Sequence, residues 1–225
     1  MFRSNRSFMR LTLTSAVALL AACSAADQAV APAARHTARP AGAPSLDVIT
    51  NSVATDSLSA DVTVTPSGGM FVLGSNAVYF PDHAICDPET SSYGPGHWDD
   101  PCEPLDRPIN FHAEVRSNEA GQTWIDFTPA VRFVPTDDPN HTVWMLMKAG
   151  TDVTLDNYGK FGMQWMPNGS PDEVVNEAST DAALKTYVDI DRDVVFRRVK
   201  HFSGYIVFTA MRSEMDSLDD IIPLW

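Results

Sequence analysis

Residues 123–133 read T-W-I-D-F-T-P-A-V-R-F, and this stretch carries the clearest strand pattern of the chain. Its apolar side chains share one parity, with tryptophan and polar residues on the other, a period of two that is typical of a half-buried β-strand. The apolar set is Ile125, Phe127, Val131 and Phe133. Pro129 lies inside the stretch, and because proline is tolerated only at sheet edges and bulges, we expect the strand to bend there.

Similar short stretches occur on both sides of this one, separated by turn-rich segments such as P-S-G-G and P-N-G-S-P-D. Only residues 173–184 suggest a short helix. The pattern predicts an all-β fold, a single antiparallel β-sandwich of about 8–9 strands over residues 61–208. The further predicted strands are 61–65, 70–74, 77–80, 109–116, 142–148, 161–166, 185–191 and 194–208.

The N-terminus has the features of a secretory signal. Arg3, Arg6 and Arg10 precede an apolar run over residues 11–22, which is too short to span a bilayer comfortably as a helix. The run ends in L-A-A-C at residues 20–23, which resembles the bacterial lipobox. This resemblance implies removal of residues 1–22, acylation of Cys23 (palmitate among the acyl chains) and a lipid anchor in the membrane. An ordinary cleaved signal with an incidental cysteine is the alternative.

Ser24 after that cysteine implies, in a host with two membranes, sorting to the outer membrane, so we expect an exported protein held at the cell envelope or cell surface. After cleavage, 13 basic and 29 acidic side chains remain. This negative charge makes nucleic-acid binding improbable. Residues 23–60 are rich in Ala and Pro, and we predict that they form a disordered tether. The acidic and apolar tail at 209–225 could pack back or act as a docking segment.

Three cysteines occur in the chain. With Cys23 acylated, Cys86 and Cys102 remain as a pair in an oxidising compartment, which favours a disulfide around a turn-rich loop. Zinc is the alternative, because His83 and His97 lie near these two thiols. We expect the disulfide and no cofactor.

Four segments, in this order, resemble the ZU-type domain, the β-sandwich named after zonula occludens and netrin-receptor proteins. They are P-S-G-G-M-F-V-L (66–73), A-V-Y-F-P-D-H-A-I (77–85), W-I-D-F-T-P-A-V-R-F-V-P (124–135) and K-H-F-S-G-Y-I-V (200–207). The resemblance covers roughly residues 65–208. It implies protein–protein association, here in an exported bacterial form on a lipid tether. The multidomain neighbours usual in that family are absent from this chain, so their partners are not carried over.

Some proteins similar to that family cleave themselves inside His-Phe-Ser, which matches His201, Phe202 and Ser203. On a strand, His201 and Ser203 would share one face, so the imidazole could take the hydroxyl proton. The Ser203 oxygen would then attack the Phe202 carbonyl and form an ester that water hydrolyses. The same pattern also fits a plain core strand.

Two weaker patterns complete the reading. Asp189, Asp191 and Asp193 have the spacing of a calcium loop, but Val194 and Lys200 stand where such loops carry Gly and Glu, so we expect no metal. Exposed tryptophans could stack sugars, which keeps a surface glycan-binding module open. The function we expect is a non-catalytic protein-interaction or structural module at the cell envelope, with an unknown protein partner. Self-cleavage between Phe202 and Ser203 is the first alternative and glycan binding the second.

Overall fold

The computed structural model describes residues 39–46, 57–119 and 122–208, and over these residues the regular structure is ten β-strands with several single 3-10 turns. The predicted all-β sandwich is confirmed, with ten strands in place of eight or nine. No helix of the described part is long and apolar enough to cross a membrane. The strands are β1 (Ser57–Val64), β2 (Gly69–Leu73), β3 (Asn76–Phe80), β4 (Ile109–Ser117), β5 (Thr123–Arg132), β6 (Val143–Lys148), β7 (Gly162–Met166), β8 (Tyr187–Asp189), β9 (Val194–Val199) and β10 (His201–Phe208).

The strands form two five-stranded sheets, in which neighbouring strands pair antiparallel. Sheet 1 has the order β1-β4-β5-β10-β7, and sheet 2 the order β2-β3-β6-β9-β8. Alternate side chains of each sheet point inward and form one large apolar core, as the period-two pattern requires. The inward side chains of the opening stretch are those predicted, namely Ile125, Phe127, Val131 and Phe133.

The predicted strand 194–208 is wrong as a single element, because the chain changes sheets within it. β9 ends at Val199 in sheet 2, and β10 begins at His201 in sheet 1. Lys200 lies at the crossing, and its ammonium group binds Asp99 at 2.6 Å and Asp181 at 2.7 Å. Both halves alternate in the same way, so periodicity alone could not show the break.

The predicted helix at 173–184 is also wrong. Its place is taken by two single 3-10 turns, Glu177–Ser179 and Ala182–Leu184. Asn176 and Asp181 begin these turns, and the side chain of each accepts a hydrogen bond from a backbone N–H two residues on. Such local bonds compete with a continuous helix, and here they divide the segment.

The predicted disordered tether over residues 23–60 needs correction in its two described parts. β1 begins at Ser57, four residues before the predicted boundary. Residues 39–46, which we call the strap, pack against the outer face of sheet 2, where Ala43 and Leu46 are buried. The low hydrophobicity of this segment predicted disorder. Two apolar side chains are nevertheless enough to hold the strap in place, because sheet 2 already offers an apolar face. Cys23, the predicted signal and the tail at 209–225 lie outside the described residues.

Candidate functional site

The predicted His-Phe-Ser site begins β10, and a shift in strand register runs through it. Phe202 lies opposite Val131 of β5, but Gly204 lies opposite Asp126, so Ser203 sits in an irregular part of the ladder. The expected alternation of side chains therefore does not continue through Ser203. Such bulges re-aim side chains and occur next to functional sites.

Phe202 occupies the core between the sheets, where we expected it. Its ring stacks on Phe127 with centroids 4.0 Å apart, and three more phenylalanine rings contact it edge-on. The peptide between Phe202 and Ser203 is thus held firmly on one side by the core.

His201 is fully buried at the end of the sandwich. Its ring stacks on Trp98, with centroids 4.0 Å apart and planes 20° apart, and it packs against Trp165 in a T-shaped contact with centroids 4.7 Å apart. The Nε2 atom of His201 lies 2.8 Å from Oε1 of Glu177. The imidazole is therefore enclosed by aromatic rings and bound to one carboxylate.

Glu177 connects His201 to a buried guanidinium group. Its Oε2 accepts a hydrogen bond from Nη2 of Arg197 at 3.0 Å, and Arg197 also donates to the carbonyl of Met163 at 2.8 Å. Arg197 is fully buried, on β9, and the hydroxyl of Tyr205 donates to the carbonyl of His201 at 3.2 Å. We call His201, Glu177, Arg197 and Tyr205 the polar cluster.

Burial determines the charges of this cluster together with its close contacts. Burial lowers the pKa of His201 below its ordinary 6.5, although Glu177 opposes the effect. Burial alone would raise the pKa of Glu177, but its hydrogen bond with His201 and the charge of Arg197 outweigh burial and hold that pKa below 4.5. Near neutral pH the cluster is therefore a Glu177–Arg197 ion pair with a neutral His201 that donates its Nε2 proton to Glu177.

Ser203 makes different contacts from His201. Its Oγ accepts a hydrogen bond from Nε1 of Trp165 at 2.7 Å, and the nearby Ser203 opposes the rise of the Tyr93 pKa. Tyr93 in turn donates its hydroxyl to the Phe202 carbonyl at 2.8 Å. Burial raises the pKa of Tyr93, so this phenol keeps its proton.

The structure brings His201 and Ser203 close together without joining them. Trp165 contacts the imidazole with its ring and Ser203 with its indole nitrogen, and within the described ranges no hydrogen bond links the two predicted partners. A general base must lie within hydrogen-bond reach of the proton it removes. In this geometry Nε2 of His201 is occupied by Glu177, while Tyr93 supplies a donor at the carbonyl that would be attacked.

The loop closed by Cys86 and Cys102 supplies two of these aromatic groups. The disulfide is confirmed, with Cα atoms 5.6 Å apart, so neither sulfur is free for zinc. Trp98 and Tyr93 extend from this loop and pack edge to face, 4.8 Å apart. The disulfide thus holds the loop that covers His201.

The sequence reasoning did not assign six members to this site: Tyr93, Trp98, Trp165, Glu177, Arg197 and Tyr205. Tyr93 had a usable signal, because a tyrosine inside a short disulfide loop of turn residues needs a packing partner. Glu177 and Arg197 gave no local signal, since they meet only when the chain has folded.

The predicted glycan and calcium sites receive less support from the structure. Trp98, Trp144 and Trp165 are buried, so their faces are not open to sugars, whereas Trp124 is half-buried. Asp189 binds Arg192, and Oδ1 of Asp193 accepts a hydrogen bond from the N–H of Val153. In the part of the chain that the structure describes, no group of three His, Cys, Asp or Glu side chains could hold a metal ion.

Comparison with known proteins found no matching family model, no matching curated protein and no matching solved structure. The function must therefore be argued from the site and the surfaces alone.

Proposed function

We propose that this chain is an exported lipoprotein whose β-sandwich acts as a non-catalytic protein-binding module at the cell envelope. The non-catalytic role is supported by one observation: the side chains of His201 and Ser203, the two predicted catalytic groups, bind different partners. His201 is bound to Glu177 inside the polar cluster, and Ser203 accepts from Trp165. These contacts tie β10 to β7 and to the 3-10 turn that begins at Glu177, which is a structural task.

The membrane anchor rests on the lipobox-like L-A-A-C at residues 20–23. Two acyl signals hold a protein to a bilayer far better than one. Cys23→Ser should move the protein from the membrane fraction to the soluble fraction and abolish incorporation of labelled palmitate. The matched control is the Cys86→Ala, Cys102→Ala double variant, which should remain in the membrane fraction. Equal membrane association of Cys23→Ser and the wild type would overturn the anchor.

The intact mass of residues 24–225, measured after denaturation without reductant, tests the non-catalytic role. We expect one species at the mass of the uncut, disulfide-bonded chain. Two species whose masses sum to that of the chain plus one water, divided between Phe202 and Ser203, would make the domain self-processing.

Self-cleavage is the second candidate function, and one contact favours it. The Tyr93 hydroxyl donates to the Phe202 carbonyl, where an oxyanion would develop. The Ser203 oxygen would attack this carbonyl carbon, the peptide nitrogen of Ser203 would leave with the hydroxyl proton, and water would hydrolyse the ester. His201 would first have to leave Glu177. If fragments form, both Ser203→Ala and Tyr93→Phe should reduce them, whereas a contaminating protease would cut all three proteins alike.

A further inference from the structure

The outer face of sheet 2 is unusually apolar for the outside of a sandwich. Ala77, Trp144, Leu146, Val194 and Phe196 point away from the main core and yet are 0–1 % exposed. Antiparallel sheets commonly present polar side chains on an outer face, so an apolar outer face needs a segment that covers it.

The strap covers this face with only two buried side chains. Ala43 and Leu46 are its two buried apolar anchors on these side chains. Before them, a turn is closed by the hydrogen bond from the N–H of Ala43 to the carbonyl of Pro40 at 3.2 Å. Gly42 has a φ of +78°, which a type II turn requires at its third position.

Gly42 also allows the strap to lie close to the sandwich. A Cβ atom at this position would lie 2.0 Å from the carbonyl oxygen of Pro139, a backbone atom that cannot move easily. The same carbonyl accepts a hydrogen bond from Nε1 of Trp144 at 3.5 Å. The strap is therefore fitted to the face by shape, at one glycine.

We infer that this face is a docking site for a short peptide segment, and that the strap is a built-in latch which occupies it until a partner protein's segment replaces it. The chemistry of the resident segment defines the partner: a turn with glycine, then a small residue, then leucine three positions later. This inference rests on the proposed protein-binding function and specifies the class of partner that the module binds.

The rim of the face adds a charge preference. The guanidinium carbon of Arg198 lies 5.4 Å from the centre of the Trp144 ring, and Nζ of Lys185 lies 5.5 Å from that of Tyr187. These two cations favour a partner segment that carries an acidic residue. Residues 47–56 then join the strap to β1, so the latch competes as a tethered ligand.

The test titrates a fluorescent peptide of residues 39–47 with residues 24–225 and follows its anisotropy. In Gly42→Ala the strap cannot seat, so the peptide should bind at least about tenfold more tightly than it binds the wild type, whose own strap competes. The matched control is Gly96→Ala, where an added Cβ meets nothing within 4 Å. It should behave as the wild type.

Three further measurements fix the interpretation. Leu46→Asp in the protein should also increase the affinity for the peptide. This second variant keeps the test valid if the Gly42→Ala protein misfolds. A peptide with aspartate in place of Leu46 should not bind. The latch is overturned if the peptide binds the wild type and both strap variants with equal affinity. It is also overturned if the peptide binds neither variant although both variants still unfold cooperatively.

Size-exclusion chromatography distinguishes a second copy of this chain from another protein. A wild type that is dimeric, and monomeric after Gly42→Ala, would assign the face to exchange of straps between copies and overturn the partner proposed. These outcomes are separate from those of the intact-mass and membrane-fraction tests. A chain that cleaves itself and still binds the peptide contradicts only the proposed function.

Discussion

The polar cluster around His201 and the strap on sheet 2 are both additions to the same sandwich, but they are held by opposite forces. The cluster consists of charges and hydrogen bonds that have been removed from water, such as the Glu177–Arg197 pair. The strap is held by two apolar anchors and the fit of Gly42. A buried charge tolerates no missing partner, whereas an apolar contact can be exchanged for another of the same shape. We therefore expect the first region to be fixed and the second to be replaceable.

Glu177→Gln should have the largest effect, because it leaves the buried guanidinium of Arg197 without its counter-charge. We expect a loss of about 3–5 kcal/mol in the free energy of unfolding, measured by chemical denaturation. Glu103→Gln, at an exposed position, should change it by less than about 0.5 kcal/mol. A loss as small as that of the control would mean that the cluster is as replaceable as the strap.

Removal of the disulfide by Cys86→Ala and Cys102→Ala should cost about 3 kcal/mol, since the unfolded chain regains the freedom of a loop of some 15 residues. The loop also carries Trp98, so the variant should expose His201 to solvent and speed exchange of nearby amide protons. The peptide affinity of the strap face should not change. A change there would show that the two regions are coupled.

Ser203→Ala should cost about 1–3 kcal/mol, because Nε1 of Trp165 loses its acceptor. If Ser203 is structural, the denaturation midpoint falls in the variant, and the wild type and the variant both have the mass of one uncut chain. If Ser203 were catalytic, the wild type would give two species and the variant one. Ser92→Ala, at an exposed position of the disulfide loop, is the control and should leave the midpoint unchanged.

Gly42→Ala should cost less, about 1–2 kcal/mol, because it disturbs a positive φ and releases one leucine from its contact. The sandwich itself should keep its folded spectrum by near-ultraviolet circular dichroism. Limited proteolysis should cut within residues 39–46 of this variant and spare the wild type. Protection equal to that of the wild type would show that the strap is as fixed as the cluster.

A change of pH is the mildest test. The pKa values of His201 and Glu177 lie below their ordinary 6.5 and 4.5 in the folded state, so the unfolded chain binds more protons on acidification. The free energy of unfolding should therefore fall as pH falls below about 6.5, and His201→Gln should remove the first part of this fall. The pKa of His112 is raised by Asp61, so His112→Gln should not remove it. A pH-independent wild type would contradict the charge states given above.

The sequence predicted the all-β class because strands such as 123–133 repeat one local pattern, and it predicted the disulfide because only two cysteines remained to pair. It did not predict the change of sheets at Lys200, where the alternation on both sides is the same. The strap was missed because nothing in P-A-G-A-P-S-L is unusual until an apolar face lies beneath it. Similarly, Glu177 and Arg197 are 20 residues apart in the chain and meet only through the fold.

The strap also determines how the protein would respond to mechanical load. Tension applied at residue 23 reaches residues 39–46 before it reaches β1. When the two anchors detach, residues 39–56 can extend to at most about 60 Å, at about 3.3–3.6 Å per residue. A pulling experiment from residue 23 should record this as an early, low-force extension that reverses on relaxation. The strap would thus extend at low force and leave the sandwich folded.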